Sequence, residues 1–252
     1  MRFEGKVAIV TGGASGMGRD MALAFLREGA SVVVGDVAEG DALIEAAGVE
    51  AERLVVRPCD VAVEADVAAL VATAEERFGR LDTIFNNAGV EQPVTPSDGV
   101  TEAVFDRVIS VNLKGVFFGC KHAIPALLRA GGGTIVNNSS VSAFANVRGN
   151  LSYAASKGGI MSMTRVLAIE YARRNIRVNA INPGVIDTDM NRRNLEKAED
   201  PGAMEERWRA ITPMGRMGTG EEIAETVLFL AGPQSGFITG VGLLVDGGRV
   251  AT

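Results

Sequence analysis

The segment that most limits how this chain can fold lies near its start. Residues 7–10, Val-Ala-Ile-Val, are a short apolar run that leads into Thr11-Gly12-Gly13-Ala14-Ser15-Gly16-Met17-Gly18 and then the helical pattern Arg19-Asp20-Met21-Ala22-Leu23-Ala24-Phe25. Gly12 suits the tight turn out of the strand, Gly16 lets backbone amides approach an anion, and Gly18 lets helix and strand pack closely. The helix N-terminus then turns its free amides and the positive end of its dipole toward that anion. A glycine triplet alone is weak evidence, but between a strand and a helix it predicts a βα unit that cradles the pyrophosphate of a dinucleotide. Gly12, Ser15, Gly16, Met17 and Gly18 are the expected contacts.

The same alternation continues along the chain. Apolar, β-branched runs at 31–35, 53–57, 83–86, 134–138, 177–181 and 243–245 read as strands, and helical patterns fall at 17–29, 39–47, 64–78, 102–130, 152–174 and 221–231. Alternating β and α units predict an α/β fold: a single doubly wound, Rossmann-type domain over residues 1–252, with a mostly seven-stranded parallel sheet and helices on both faces. The long helix from Glu102 is expected to kink or break near Pro125. Only 187–213 departs from the alternation. It is dense in charge, holds Pro201 and Gly202, and follows the sixth strand, where ligands bind in such sheets, so it is expected to be a lid of short helices.

Composition narrows the function. A net charge of −6 with no basic tract argues against nucleic acid or an anionic membrane as partner, which leaves small molecules. No apolar run approaches the length of a bilayer span, and the chain reads as cytoplasmic. Cys59 and Cys120 are too few and too far apart in sequence for a disulfide framework and read as packing residues. His122, the single histidine, has no ligand-spaced partner, so no metal site is expected.

Two features carry chemistry. Asp36 ends the second strand about where an acid accepts hydrogen bonds from an adenosine ribose, and it would repel a 2′-phosphate. With Val37 beside it and Ser15 where a basic residue could grip that phosphate, the expected cofactor is NAD and not NADP. Tyr153 and Lys157 stand four residues apart, placing a phenol and an ammonium on one helical face. Moving a phenol from about 10 to about 7 or 8 takes roughly 3 to 4 kcal/mol. An ammonium at about 4 Å in an effective dielectric of about 20 supplies about 4 kcal/mol. Lys157 is therefore expected to lower the Tyr153 pKa.

These motifs, with Asp60-Val61, Asn86-Asn87-Ala88-Gly89, Asn112, Ser139-Ser140 and Asn182-Pro183-Gly184 in the same order, resemble the classical short-chain dehydrogenase/reductase family over essentially the full chain. The resemblance implies that Asp60 and Val61 border the adenine and that Asn87, Ala88 and Gly89 close the cofactor cleft. Pro183 and Gly184 also belong to the cofactor site, with Ile186 and Thr188 on the nicotinamide side. It implies Tyr153 as acid/base, Ser140 in preference to Ser139 as second hydrogen-bond donor from an exposed turn, and Lys157 on the nicotinamide ribose. Asn112 is implied in a proton relay through water, and a homotetramer is implied as well.

A phenol that exchanges a proton with a carbonyl oxygen while a hydroxyl holds it suits interconversion of a secondary alcohol with its ketone or lactone. The substrate pocket is expected along Glu91 to Pro93, Val141, Ser142, Phe144, Ala145, Asn146 and the lid. That wall has little fixed charge and suits an alicyclic or sugar-like alcohol. The alternatives are a 3-oxoacyl thioester reductase and an NAD-binding sensor without turnover.

Overall fold

The computed structural model describes residues 1–146 and 148–251. Seven strands form one parallel sheet: β1 (Val7–Thr11), β2 (Ser31–Asp36), β3 (Leu54–Pro58), β4 (Thr83–Asn86), β5 (Gly133–Asn138), β6 (Ile176–Pro183) and β7 (Gly242–Val245), in the order β3-β2-β1-β4-β5-β6-β7. The helices are α1 (Gly16–Arg27), α2 (Asp41–Ala47), α3 (Glu64–Phe78), α4 (Glu102–Ile109), α5 (Gly115–Arg129), α6 (Leu151–Tyr171), α7 (Asp189–Glu196), α8 (Pro201–Ala210) and α9 (Gly220–Ala231). Period-two alternation divides β1 between two cores. Val7 and Ile9 pack with α3, α5 and α6, while Ala8 and Val10 pack with α1, α2 and α9. Both faces of the sheet are thus covered, which is why β1, β4 and β5 are buried almost throughout and carry apolar residues on both faces. The strand order reverses between β1 and β4, which opens a crevice beyond their carboxyl ends.

One expected element is divided differently. The 102–130 helix is interrupted by a π-type turn at Ser110–Lys114, and Pro125 sits inside α5 without breaking it. The ring of Pro125 lies on an exposed face, so the carbonyl it leaves without a donor can be served by water. The π turn carries Asn112 into the interior, where it is fully buried. After β6, the segment expected as a lid folds into α7 and α8. Thr188 Oγ1 accepts from the Asn191 amide at 3.3 Å, Asp200 Oδ1 accepts from the Ala203 amide at 2.9 Å, and Pro201 occupies the first turn of α8.

Candidate active site

The loop between β1 and α1 has the shape the glycine spacing predicts. Gly12 adopts φ +63°, and a Cβ on Gly18 would lie 2.0 Å from the Gly12 carbonyl oxygen. Close packing of helix on strand therefore depends on Gly18 lacking a side chain. Asn87 ties β4 to this loop: its Nδ2 donates to the Thr11 and Gly12 carbonyls, each at 3.0 Å, and its amide donates to Thr11 Oγ1 at 2.9 Å.

Gly12, Ser15, Gly16, Met17, Gly18, Asp36, Asp60, Val61, Asn87, Ala88, Gly89, Tyr153, Lys157 and Thr188 all line one cleft of about 440 Å³. The loop suits an anion, because the Gly16 amide already donates to a carboxylate, Asp189 Oδ2, at 3.2 Å. At the far end Asp36 is held by the amides of Ala14 (2.9 Å) and Ala38 (3.0 Å), with its carboxylate at the cleft wall. These residues fit a dinucleotide.

Three expected contacts lie outside this wall. Gly184 lines the adjoining pocket, and Pro183 is buried at the end of β6. Ile186 is 3% exposed, packs in the α1/α9 core and bridges to Gly218. A sequence motif locates backbone near a ligand but does not say which side chains turn away from it.

The cleft opens at Tyr153 into a second pocket of about 770 Å³. Ser140 faces this pocket together with Tyr153, whereas Ser139 turns inward and donates to the Lys157 carbonyl at 3.0 Å. The Ser140 turn is buried, not exposed as expected, because the short helical turn Val141–Ala143 folds over it and the Ser142 amide donates to Ser140 Oγ at 3.1 Å.

Lys157 is 3% exposed; its ammonium donates to the Asn138 carbonyl at 2.7 Å and sits 5.3 Å from the centre of the Tyr153 ring. Burial pulls it down to about 8, partly opposed by the charge of Glu91. Burial pushes Tyr153 up to about 12, the Ser140 hydrogen bond works downward, and Glu91 adds to the rise. The direction is thus the reverse of the depression expected from Lys157. Desolvation outweighs the ammonium, which is directed at a backbone carbonyl and the ring face. Tyr153 keeps part of its surface open to the pocket, so anything that adds positive charge there acts directly on its phenol.

Asn112 holds the loop after β4: its Oδ1 accepts from the Val90 amide at 2.8 Å, and its Nδ2 donates to the Val90 carbonyl at 2.9 Å.

A family model described as Enoyl-(Acyl carrier protein) reductase matches residues 12–249. Levodione reductase of Leifsonia aquatica is 38% identical over 99% of this chain and 96% of that protein. A crystal structure of levodione reductase superposes with a TM-score of 0.94 at 36% identity, covering 100% of both chains. The chain is a short-chain dehydrogenase/reductase.

Two further members of the family mark its range here. Cis-4-hydroxycyclohexanecarboxylate dehydrogenase of Sinomonas cyclohexanicum is 40% identical over 99% of this chain and 98% of that protein. The 3-ketoacyl-(acyl-carrier-protein) reductase of Brucella melitensis complexed with NADH superposes with a TM-score of 0.89 at 36% identity over 98% and 99% of the two chains.

Two residues of this short-chain dehydrogenase/reductase have roles that the sequence did not reveal, although Gln92 was expected in the pocket wall and lines it. Gln92, 7% exposed, caps α6 from a distance: its Oε1 accepts from the Ser152 amide at 2.7 Å, and its Nε2 donates to the Gly149 carbonyl at 2.8 Å. Asn138 anchors Lys157 through its carbonyl and donates from Nδ2 to Asn87 Oδ1 at 3.1 Å. Glutamine is not an ordinary capping residue, and Asn138 holds Lys157 through backbone, so neither role left a signal in the sequence.

The expected pocket wall also needs correction. Pro93, Phe144, Ala145 and Asn146 are not part of it, and it is not poor in fixed charge. Arg148, Arg207 and Arg249 line it together with Glu91. Which residues of the irregular 187–213 segment face inward depends on the register of α8, which composition does not reveal.

Proposed function

We propose that this chain is an NAD-dependent dehydrogenase/ketone reductase that interconverts an alicyclic or sugar-like secondary alcohol and its ketone or lactone. The observation that carries this reading is that Ser140 and Tyr153 face one pocket while Tyr153 and buried Lys157 also line the dinucleotide cleft.

In the reductive direction the neutral Tyr153 phenol gives its proton to the carbonyl oxygen while Ser140 hydrogen-bonds the same atom. In oxidation the phenolate takes the hydroxyl proton. A bound oxidised nicotinamide supplies the hydride acceptor for the alcohol carbon. Lys157 is placed to hold the ribose beside it, and Asn112 acts on the same chemistry by positioning the loop around Val90. Asp36 favours NAD over NADP through its carboxylate at the adenosine end. The relative named for a hydroxycyclohexanecarboxylate supports a ring alcohol.

The same reading takes residues 1–252 as one cytoplasmic domain with 187–213 as a substrate lid, since Met204 and Trp208 of α8 line the same pocket as Ser140. It also includes a homotetramer. Phe117 on α5 and Val166 and Ile169 on α6 are large apolar side chains left 47%, 53% and 81% exposed. Among the described residues no helix is long and apolar enough to cross a membrane, and no group of His, Cys, Asp and Glu could hold a metal ion.

A 3-oxoacyl thioester reductase is the second reading. The NADH complex of the Brucella relative weakens cofactor choice as a criterion, so substrate decides between the two. Initial-rate oxidation with NAD and with NADP, across ring alcohols, sugars, steroids and β-hydroxyacyl thioesters, tests both. NAD-linked turnover of ring or sugar alcohols is expected; turnover confined to thioesters overturns the first reading.

A further inference from the structure

We infer that the substrate pocket is built for an anion: the alcohol or ketone carries a carboxylate remote from the reacting carbon, held by Arg207 and Arg148. This rests on the proposed reading of the pocket as the substrate site and names the class of substrate it takes.

The wall of the pocket holds the exposed Arg148 and Arg207 with Glu91 as its acid; the half-buried Arg249 of the same wall lies in the field of Asp246. Glu91 is itself engaged, accepting from Asn194 Nδ2 at 2.7 Å. Three other arginines of this region are paired: Arg192 with Asp187 at 2.8 Å, Arg209 with Glu205 at 2.6 Å, and Arg216 with Glu222 at 2.6 Å. Arg207 and Arg148 make no ion pair or side-chain hydrogen bond among the described residues. Arg207 and Arg209 are two residues apart on α8, so they point to different sides of the helix, and the unpaired one faces the pocket.

Planar guanidinium groups bind carboxylates through paired, charge-assisted hydrogen bonds. Ser140 and Tyr153 occupy the same pocket and take the oxygen at the reacting carbon. A molecule that satisfies both ends has a neutral hydroxyl or carbonyl at one side and an anion at the other. The apolar surfaces of Val141, Met204, Trp208 and Ile211 lie in the same wall and suit a ring between those ends.

Trp208 is the only tryptophan of the chain and lines this pocket, so its fluorescence reports binding without turnover. The experiment titrates NAD-saturated protein with cyclohexanecarboxylate and, separately, with cyclohexanecarboxamide, an uncharged ligand of similar shape; neither has a hydroxyl to oxidise. The carboxylate is expected to bind about tenfold more tightly than the carboxamide. Arg207→Gln and Arg148→Gln should each weaken it, and the double variant should erase the preference. Arg207→Lys should keep part of it. Equal affinity for the two ligands, no binding of either, or an unchanged carboxylate affinity in the double variant overturns the inference. Failure of the chain to oxidise alcohols with NAD counts against the proposed activity alone, because this readout needs no chemistry.

Discussion

Lys157 is a cation kept almost wholly out of water with one backbone carbonyl as its named acceptor, and that burial has a measurable consequence. Its folded pKa of about 8 lies below the ordinary value of 10.5, so between those pH values the unfolded chain binds more protons than the folded one. Stability therefore rises as pH rises through this window, and the gain is lost as pH falls toward 8. Between pH 8 and pH 10 the cofactor-free protein should gain about 2 kcal/mol relative to Lys157→Met in denaturant unfolding; parallel pH slopes would contradict the assigned burial.

At the other end of the cleft, Asp36→Ala should weaken NAD and bring NADP closer to it in kcat/KM, whereas an unchanged cofactor ratio would leave Asp36 as a local cap on the Ala14 and Ala38 amides. Residues of this kind were legible because their chemistry is tied to short spacings: Tyr153 to Lys157 on one helix, Ser140 just after β5, Asp36 at the end of β2. The capping role of Gln92 and the pocket-facing side of Arg207 were not, because each depends on tertiary packing.

Among elements, the strands were readable to within about two residues because a parallel sheet buried on both faces demands unbroken apolar runs. The π turn at Ser110–Lys114 was not readable, since one extra residue in a helix changes no hydrophobic period, and Pro125 offered a stronger but misleading breaking signal. Helix α6 depends on Gln92 at its first turn, so Gln92→Leu should cost about 1 to 3 kcal/mol by leaving the Ser152 amide and the Gly149 carbonyl without partners. The same variant should lower kcat through misplacement of Tyr153, while full stability would show that the contact is incidental. On α7, Asp189 occupies the Gly16 amide that a pyrophosphate would take. Asp189→Ala should therefore tighten dinucleotide binding severalfold in calorimetry, and weaker binding would show that Asp189 supports the loop instead of competing at it.

For the whole molecule, the reversal of strand order between β1 and β4 is what brings the glycine loop, Asp36, Asn87 and the Tyr153 helix to one crevice. The exposed apolar side chains of α5 and α6 belong to the same design if copies of the chain cover them. Sedimentation should then find a tetramer, and Ile169→Glu should shift it toward smaller species; a wild-type monomer would contradict that assembly. The central claim is that this crevice performs alcohol oxidation with Tyr153 as acid/base. The most direct test compares NAD-linked oxidation of ring alcohols by the wild type and by Tyr153→Phe, with NAD affinity measured on both. Turnover in the wild type, reduced by about a hundredfold or more in the variant at near-equal NAD affinity, is the expected result. Equal turnover in the two proteins would contradict it.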